Sequence, residues 1–175
     1  DGANMLADAL KPFGGIVMGR SFVYGAKHKG GTNMTAAFAL SECASLAAAL
    51  LGEVASPQIS ELTRAGRKVY KLDFSSKAFS SFIVRISGGE SIESAAKFRC
   101  GDCASAFLRG ALIAVATVND PHKSYHLELS LSEHAKDRID SLKGFLSDMG
   151  FEAKQVKRGE SASLYFKSNM QISDI

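Results

Sequence analysis

Alternating apolar and polar side chains identify one segment of the chain as a strand. The alternation runs through Tyr125, His126, Leu127, Glu128, Leu129, Ser130 and Leu131. A period of two residues puts the two sets of side chains on opposite faces of a strand. The pattern predicts a half-buried strand with one apolar face and one wet face. The segment NMTAAFAL, residues 33–40, is its weaker counterpart earlier in the chain.

Helix-like segments follow both predicted strands, and both open similarly, with LSECA at 40–44 and LSEHA at 131–135. The second has apolar residues three and four positions apart, at Ala135, Ile139, Leu142, Leu146 and Met149. This spacing predicts one buried helix face. The first, with ASLAAALLG, is apolar nearly all round, which indicates deeper burial. Each helix is predicted to end at a left-handed glycine, Gly52 or Gly150.

A predicted hairpin follows each of these helices. QISELTRAGRKVYKLDF is expected to turn at Ala65–Gly66, and FEAKQVKRGESASLYFKS at Arg158–Gly159. The second strands carry Tyr70 and Tyr165, respectively. After the first hairpin, SKAFSSFIVRI predicts a helix, and SGGESIESAAK is expected to be a polar linker.

Two further segments share one pattern of apolar and small residues, LADALKPFGGIV at 6–17 and LRGALIAVATVN at 108–119. Each reads as a helix that runs through small residues into a β-branched strand. The chain therefore predicts an α+β protein made of tandem αββαββ repeats, each with a four-stranded antiparallel sheet. We expect the first half to span residues 1–88 and the second 89–175, together forming one pseudo-symmetric domain.

The composition is that of a folded domain, and it bears on the partners and the cellular compartment of the protein. Of the 175 residues, 46% are hydrophobic and 22% are charged, which argues against disorder. The net charge of +3 permits a nucleic-acid partner without requiring one. The odd number of cysteines and the lack of a signal-like start favour a cytoplasmic protein with free thiols. The apolar run 111–118 is too short to span a bilayer, so no membrane segment is expected.

The duplication, headed by these two stretches, resembles the LAGLIDADG homing-endonuclease fold. In that family the two namesake helices pack together through small residues, and an aspartate at the eighth motif position of each binds a divalent metal. The motif aligns with residues 6–14 and 108–116, so the eighth positions are Phe13 and Val115. Neither side chain offers an oxygen to a hard cation. The resemblance therefore implies a fold without nuclease activity, catalytic residues, bound metal or cofactor.

The segment 98–130 resembles the WhiA family of bacterial regulators more closely. The resemblance rests on Arg109, Gly110, Ala111, Asn119, Asp120, Pro121, Tyr125, His126, Leu127 and Glu128. It implies a degenerate N-terminal LAGLIDADG domain of a nucleoid-associated transcriptional regulator that acts in sporulation and cell division. Such regulators also have a C-terminal helix-turn-helix domain. The chain ends at NMQISDI and leaves no room for one, so we expect that domain to be missing here.

Basic residues around the two hairpins are candidate contacts to double-stranded DNA. They are Arg64, Arg67, Lys68 and Lys71 in the first half and Lys154, Lys157, Arg158 and Lys167 in the second. In LAGLIDADG proteins the sheets form a saddle over DNA, so paired basic hairpins on one surface would neutralise phosphates. Exposed hairpins are also charged for solubility and to discourage edge pairing. A protein-interaction or small-molecule-sensing module without DNA contact is therefore the alternative function.

Cys100 and Cys103, followed by His122 and His126, form a pattern that resembles a zinc site. The interval between Cys103 and His122 is longer than the usual zinc-finger spacing, and His126 belongs to the alternating strand. We therefore expect the two cysteines to lie at the start of the second central helix as small apolar groups.

Overall fold

The computed structural model describes residues 27–28, 31–38, 40–52, 55–98, 101–119, 124–131, 136–159 and 161–175. The elements up to residue 96 are β1 (Lys27–His28), β2 (Asn33–Phe38), α1 (Ser41–Leu51), β3 (Gln58–Arg64), β4 (Arg67–Ser75), α2 (Lys77–Ser87) and α3 (Ile92–Ala96). Those that follow are α4 (Asp102–Val115), β5 (Ala116–Val118), β6 (Leu127–Leu131), a 3₁₀ turn (Lys136–Arg138), α5 (Ile139–Asp148), β7 (Lys154–Arg158), β8 (Ser161–Phe166) and α6 (Asn169–Asp174).

The strands form two antiparallel sheets with the same internal order. The first sheet runs β1-β2-β4-β3 and the second runs β5-β6-β8-β7, each with four strands. The α+β fold with tandem repeats is therefore confirmed. The helix predicted within residues 6–13 lies outside the described residues, so its packing against α4 stays a prediction.

Strands β2 and β6 occupy corresponding central positions because each has one apolar face. Their buried side chains are Met34, Ala36 and Phe38 in β2 and Leu127, Leu129 and Leu131 in β6. Both alternating patterns were predicted correctly. Tyr125 is an exception, because it precedes β6 and is half exposed.

Helices α1 and α5 follow these strands, but they end differently. Helix α5 ends in a Schellman arrangement, in which the Phe151 amide donates to the Leu146 carbonyl at 2.8 Å and Gly150 has a φ of +87°. The left-handed glycine is therefore confirmed at Gly150. The same prediction is wrong at Gly52, where φ is −55° and the backbone stays in the right-handed helical region.

Helix α2 is confirmed, whereas the polar linker predicted after it is wrong. The Ser76 side chain caps α2, and its buried face holds Phe79, Phe82, Ile83 and Ile86. Residues 92–96 form α3 instead of a linker. Ile92, Ala95 and Ala96 are buried there. A few apolar residues thus suffice to anchor one turn of helix between many polar ones.

A cluster of phenylalanines connects the halves through edge-on contacts. The ring of Phe107 in α4 lies 6.1 Å from Phe82 of α2 and 5.2 Å from Phe145 of α5, measured between centroids. Phe98 contacts both Phe107 and Phe145. One continuous apolar core therefore lies between the helices and the two sheets.

The hairpin turns fix the ends of the long strands. In the first hairpin Arg64 pairs with Arg67, and Ala65 and Gly66 both have positive φ, at +48° and +74°. This is a type I′ turn at the predicted position. In the second hairpin Arg158 pairs with Ser161, so the turn lies one residue later than predicted.

Candidate nucleic-acid interface

Each sheet has one face covered by helices and a second face that is polar. In the first sheet Leu72 and Phe74 of β4 point into the core. Alternation therefore places Arg67, Lys71 and Asp73 on the other side. We call this side the first outer face, and the side opposite Leu164 and Phe166 of β8 the second outer face.

Two arginines lie at the tip of the first outer face. Arg64 and Arg67 are directly opposite each other in the β3–β4 register, and both side chains are exposed. Neither forms an ion pair with any residue that the structure describes. Lys71, farther from the turn, lies 2.5 Å from the Asp73 carboxylate, which also accepts a hydrogen bond from Thr35. Free positive charge is therefore concentrated at the tip.

The second outer face is organised around a carboxylate. Glu128 of β6 accepts a hydrogen bond from Ser130 at 3.1 Å, and its other oxygen lies 3.3 Å from His126 Nε2. Glu128 also pairs in register with Tyr165 of β8. The Ser130 hydroxyl contacts the Ser163 hydroxyl at 2.9 Å. These contacts hold Glu128 in place, with only 17% of its side chain exposed.

Two lysines lie near Tyr165, the residue that pairs with Glu128, at the open end of the hairpin. Lys154 pairs in register with Tyr165, and Lys167 Nζ lies 5.6 Å from the centroid of the Tyr165 ring. Both lysines are exposed. Arg158 pairs with Ser161 next to the turn.

The predicted basic set does not share one face. Lys68 pairs with Thr63 one register step from Arg64–Arg67, and Lys157 pairs with the buried Ala162, so alternation puts both lysines on the helix side. Lys68 forms a 2.9 Å ion pair with Glu61. The hydrogen bond from Lys68 and the negative charge of Glu61 raise the pKa of Lys68. The expectation of a single basic surface is therefore wrong for these two lysines.

The basic residues also fail to occupy equivalent positions in the two halves. The core pairs Ala36–Leu72 and Leu129–Leu164 align the sheets. Lys71 then corresponds to Ser163. Lys154 corresponds to Gln58 by the same alignment. The prediction that the basic residues lie at corresponding places in the two hairpins is therefore wrong. The halves share a backbone plan but carry their charges at different places.

The second namesake helix ends without a metal-binding group at the motif position. Helix α4 ends at Val115, whose side chain is partly buried and apolar. Valine supplies no ligand for a divalent cation, so the described half of such a metal site does not fit one. The equivalent Phe13 lies outside the described residues. No cluster of three or more His, Cys, Asp and Glu side chains occurs among the described residues.

The structure describes only two of the four residues in the cysteine and histidine pattern, Cys103 and His126. Cys103 is buried in the first turn of α4, as expected for a small apolar group. Cys100 and His122 lie outside the described residues. His126 is directed to Glu128, and its ring lies 6.0 Å from that of Tyr165. Among the described helices, none has the length and apolar character required to cross a bilayer.

Glu128, His126 and Tyr165 were not among the predicted site residues. The alternation in 125–131 already assigned His126 and Glu128 to a wet face. Their meeting with Tyr165 depends on the pairing of β6 with β8, across more than thirty residues of chain. No local pattern encodes that pairing.

The architecture is the fold of LAGLIDADG proteins. The structure aligns with the crystal structure of the N-terminal LAGLIDADG domain of WhiA, with a TM-score of 0.66 and 16% identity over 94% of this chain and 81% of that one. It also aligns with the homing endonuclease I-DmoI in complex with DNA and Mn, with a TM-score of 0.55 and 17% identity over 93% of this chain and 94% of that one.

Sequence matches show which proteins the second half of the chain is similar to. Residues 104–175 match the family model of the WhiA LAGLIDADG-like domain. A probable cell division protein WhiA from Alkaliphilus oremlandii is 38% identical over 77 residues, which is 44% of this chain and 23% of that protein. Residues 104–175 are therefore similar to the WhiA LAGLIDADG-like domain, and the resemblance to the WhiA family is confirmed over this segment. The matched segment spans about a quarter of the relative's length.

Another family model, that of the middle domain of glycosyl hydrolase family 67, matches residues 1–47. The described part of this segment consists of β1, β2 and the start of α1, which belong to the first sheet and its helix. The match therefore does not change the assignment of the fold.

Proposed function

We propose that this chain is a non-catalytic, DNA-binding domain of a WhiA-type transcriptional regulator. The observation that carries the proposal is the presence of exposed cations on both outer faces. Arg64, Arg67 and Lys154 are exposed and have no ion-pair partner among the described residues. Exposed cations without such a partner can neutralise DNA phosphates without first breaking an ion pair.

Support for duplex DNA as the partner comes from the fold. I-DmoI, which shares the fold, was solved in complex with DNA and Mn. Sheets of this kind offer a broad polar surface, and phosphate contacts give affinity without requiring sequence readout. We therefore assign to this domain a sequence-independent affinity for DNA in the cytoplasm, at the nucleoid. Promoter selection is assigned to a helix-turn-helix domain of the full-length regulator.

The proposal excludes nuclease activity because of the residue at the motif position. Phosphodiester cleavage with divalent metals requires carboxylate oxygens that hold the ions. Val115 cannot do this, and Phe13 at the equivalent position of the sequence cannot either. The related WhiA proteins are named as cell division proteins. We therefore propose a regulatory or scaffold role on DNA during cell division and sporulation.

Salt-dependent binding to a labelled duplex tests this function. Each phosphate neutralised contributes about 0.9 to the slope of log affinity against log salt. Replacing one outer-face cation in each half, R67A/K154A, should flatten the slope by up to about 1.8. The matched control K68A/K157A removes equal charge from the helix-side faces and should leave the slope unchanged.

Two outcomes would contradict DNA binding. One is undetectable binding of the wild-type chain at low salt. The other is an equal loss of slope in both double variants, which would indicate a response to net charge alone. Either result would favour the alternative, a protein-interaction or small-molecule-sensing module.

A further inference from the structure

The pairing of Arg64 with Arg67 is unfavourable in the free protein. Like charges placed directly opposite each other in an antiparallel pair destabilise it. The next pair on the same face is Leu62–Val69, which supplies no counter-charge. The nearby acid Glu61 lies on the other face, where it binds Lys68. The structure thus places two arginines directly opposite each other at the tip of a hairpin.

The hairpin presents these groups away from the rest of the sheet. Strand β2 stops pairing with β4 at Phe38–Tyr70, whereas β3 and β4 continue for three further residue pairs to the turn. At about 3.3 Å per residue, this two-stranded extension reaches roughly 10 Å beyond β2. Every residue of β3 is exposed. The tip is therefore open to a large ligand.

An anion between the two arginines would convert their repulsion into attraction. Cβ atoms of directly opposite residues are about 5 Å apart, so two guanidinium groups can reach one tetrahedral anion. Each group carries a planar fork of donors that matches phosphate oxygens. A phosphodiester has the charge and the acceptors for this position.

Among the described pairs of the second hairpin, none places two cations opposite each other. Beyond its last described pair with β6, Leu131–Ala162, the second hairpin continues only to Arg158–Ser161. In the backbone register Arg158 is therefore paired with Ser161 rather than with a second arginine. At the open end, Lys154 is opposite Tyr165 and Lys167 lies over its ring, and Tyr165 is in turn opposite Glu128, whose carboxylate repels a phosphate. The two outer faces thus differ in their capacity for anions.

We infer that Arg64 and Arg67 form a clamp for a single phosphodiester group, and that the first half makes the principal phosphate contact of this domain. The inference rests on the proposed function, because it specifies how the two halves share the contact with DNA. It departs from a symmetrical saddle in which both hairpins neutralise phosphates equally.

Titration of a labelled duplex at several salt concentrations tests the clamp. Because both arginines bind one phosphate, R64A/R67A should flatten the slope by about 0.9, whereas two independent contacts would flatten it by about 1.8. The variant K154A/K167A removes the same charge from the second outer face and should lose less affinity than R64A/R67A, whereas K68A/K157A on the helix sides should retain the wild-type slope. A larger effect of K154A/K167A than of R64A/R67A, or a loss near 1.8 in R64A/R67A, would overturn the inference.

The variant R64K/R67K separates charge from geometry. It keeps both charges but replaces the planar forks with point charges. The clamp predicts a loss of affinity of about tenfold with the salt slope retained. Affinity equal to wild type would show that charge alone suffices and would overturn the clamp.

A titration with inorganic phosphate keeps the clamp testable if the wild-type chain does not bind DNA. The Nε–Hε signals of Arg64 and Arg67 in nitrogen-15 spectra should shift together on addition of phosphate at constant ionic strength. In R64K, the same addition of phosphate should shift the Arg67 signal much less than it does in the wild type. Independent or absent shifts in the wild type would overturn the clamp, whereas failure of duplex binding alone would overturn the proposed function.

Discussion

The ring of Phe82 meets the ring of Phe107 at an interplanar angle of 64°, with 6.1 Å between their centroids. One ring belongs to the last long helix of the first half and the other to the helix that opens the second. Both side chains are about 1% exposed. This contact joins the hydrophobic cores of the two repeats, so its loss should affect the whole molecule.

Replacement of Phe107 by alanine should therefore destabilise the domain strongly. Removal of a buried phenyl ring costs about 3–5 kcal/mol in free energy of unfolding, because of lost transfer energy and the cavity that remains. Urea unfolding followed by circular dichroism would measure the change. F107L, which retains most of the volume, should cost less. A loss below about 1 kcal/mol for F107A would show that the halves are not coupled through this ring.

Reversal of one charge at the hairpin tip should have opposite effects on stability and on DNA binding. In R67E, the new carboxylate lies opposite Arg64 and replaces repulsion with attraction. The free energy of unfolding should rise by roughly 0.2–1 kcal/mol, as for other cross-strand pairs. Duplex affinity should fall below that of R67A. A stability decrease in R67E at low salt, measured by urea unfolding, would show that Arg64 and Arg67 do not repel each other.

The ion pair between Arg85 and Glu90 should make stability depend on pH. Hydrogen bonds from Arg85 and then from Ser94 lower the pKa of Glu90 below its usual value. A carboxyl group with a lowered pKa in the folded state stabilises the protein above its unfolded pKa, and that contribution is lost as the pH falls through the folded pKa.

Melting temperatures of wild type and E90Q between neutral and acidic pH would measure this dependence. The wild-type chain should melt higher than E90Q at pH 7, and the difference should shrink as Glu90 becomes protonated. A constant difference across the acidic range would contradict the prediction.

Two glycines that follow helices should respond differently to the same substitution. Gly150 has a φ of +87°, a conformation that costs an L-residue about 1–2 kcal/mol. G150A should therefore lower the free energy of unfolding by about that amount. Gly52 is right-handed, and a Cβ there would lie 3.4 Å from the Ala48 and Ala49 carbonyl oxygens. G52A should be close to neutral, and equal losses in both variants would refute the distinction.

Incubation of the protein with plasmid DNA and Mg²⁺ or Mn²⁺ should produce no nicked or linear product above a metal-free control. The reason is the absence of a carboxylate at Val115 and Phe13, the motif positions that would hold the ions. Gel electrophoresis of supercoiled plasmid detects a single nick per molecule. Metal-dependent nicking that persists through purification and is abolished by a point variant of this chain would overturn the assignment.

Sequence reasoning succeeded where a single local period determines the structure. The alternation in β6 and the helical spacing of Ile139, Leu142 and Leu146 both correspond to observed burial. It failed where few apolar residues decide the outcome. Helix α3 has only Ile92, Ala95 and Ala96 on its buried side, and its glycine- and serine-rich surroundings resemble a linker.

The candidate site was predictable in composition but not in geometry. Charged hairpins are visible in the sequence, yet the face of each residue depends on register. A turn shifted by one residue at Arg158–Ser161 changes which side chains of β7 and β8 lie opposite each other. The distribution of Lys68 and Lys157 to the helix side follows from such pairings. Pairing between distant strands therefore had to be observed.

The unequal placement of charge on the two sheets has a consequence for how such a chain can evolve. In a homodimer, every substitution appears twice, so a change that suits one side of an asymmetric target is imposed on the other side as well. Here Lys71 and Ser163 occupy equivalent places, and so do Gln58 and Lys154. Because the two repeats are joined in one chain, each half can accumulate substitutions independently of the other. One sheet can retain an ancestral task while the other acquires a new one.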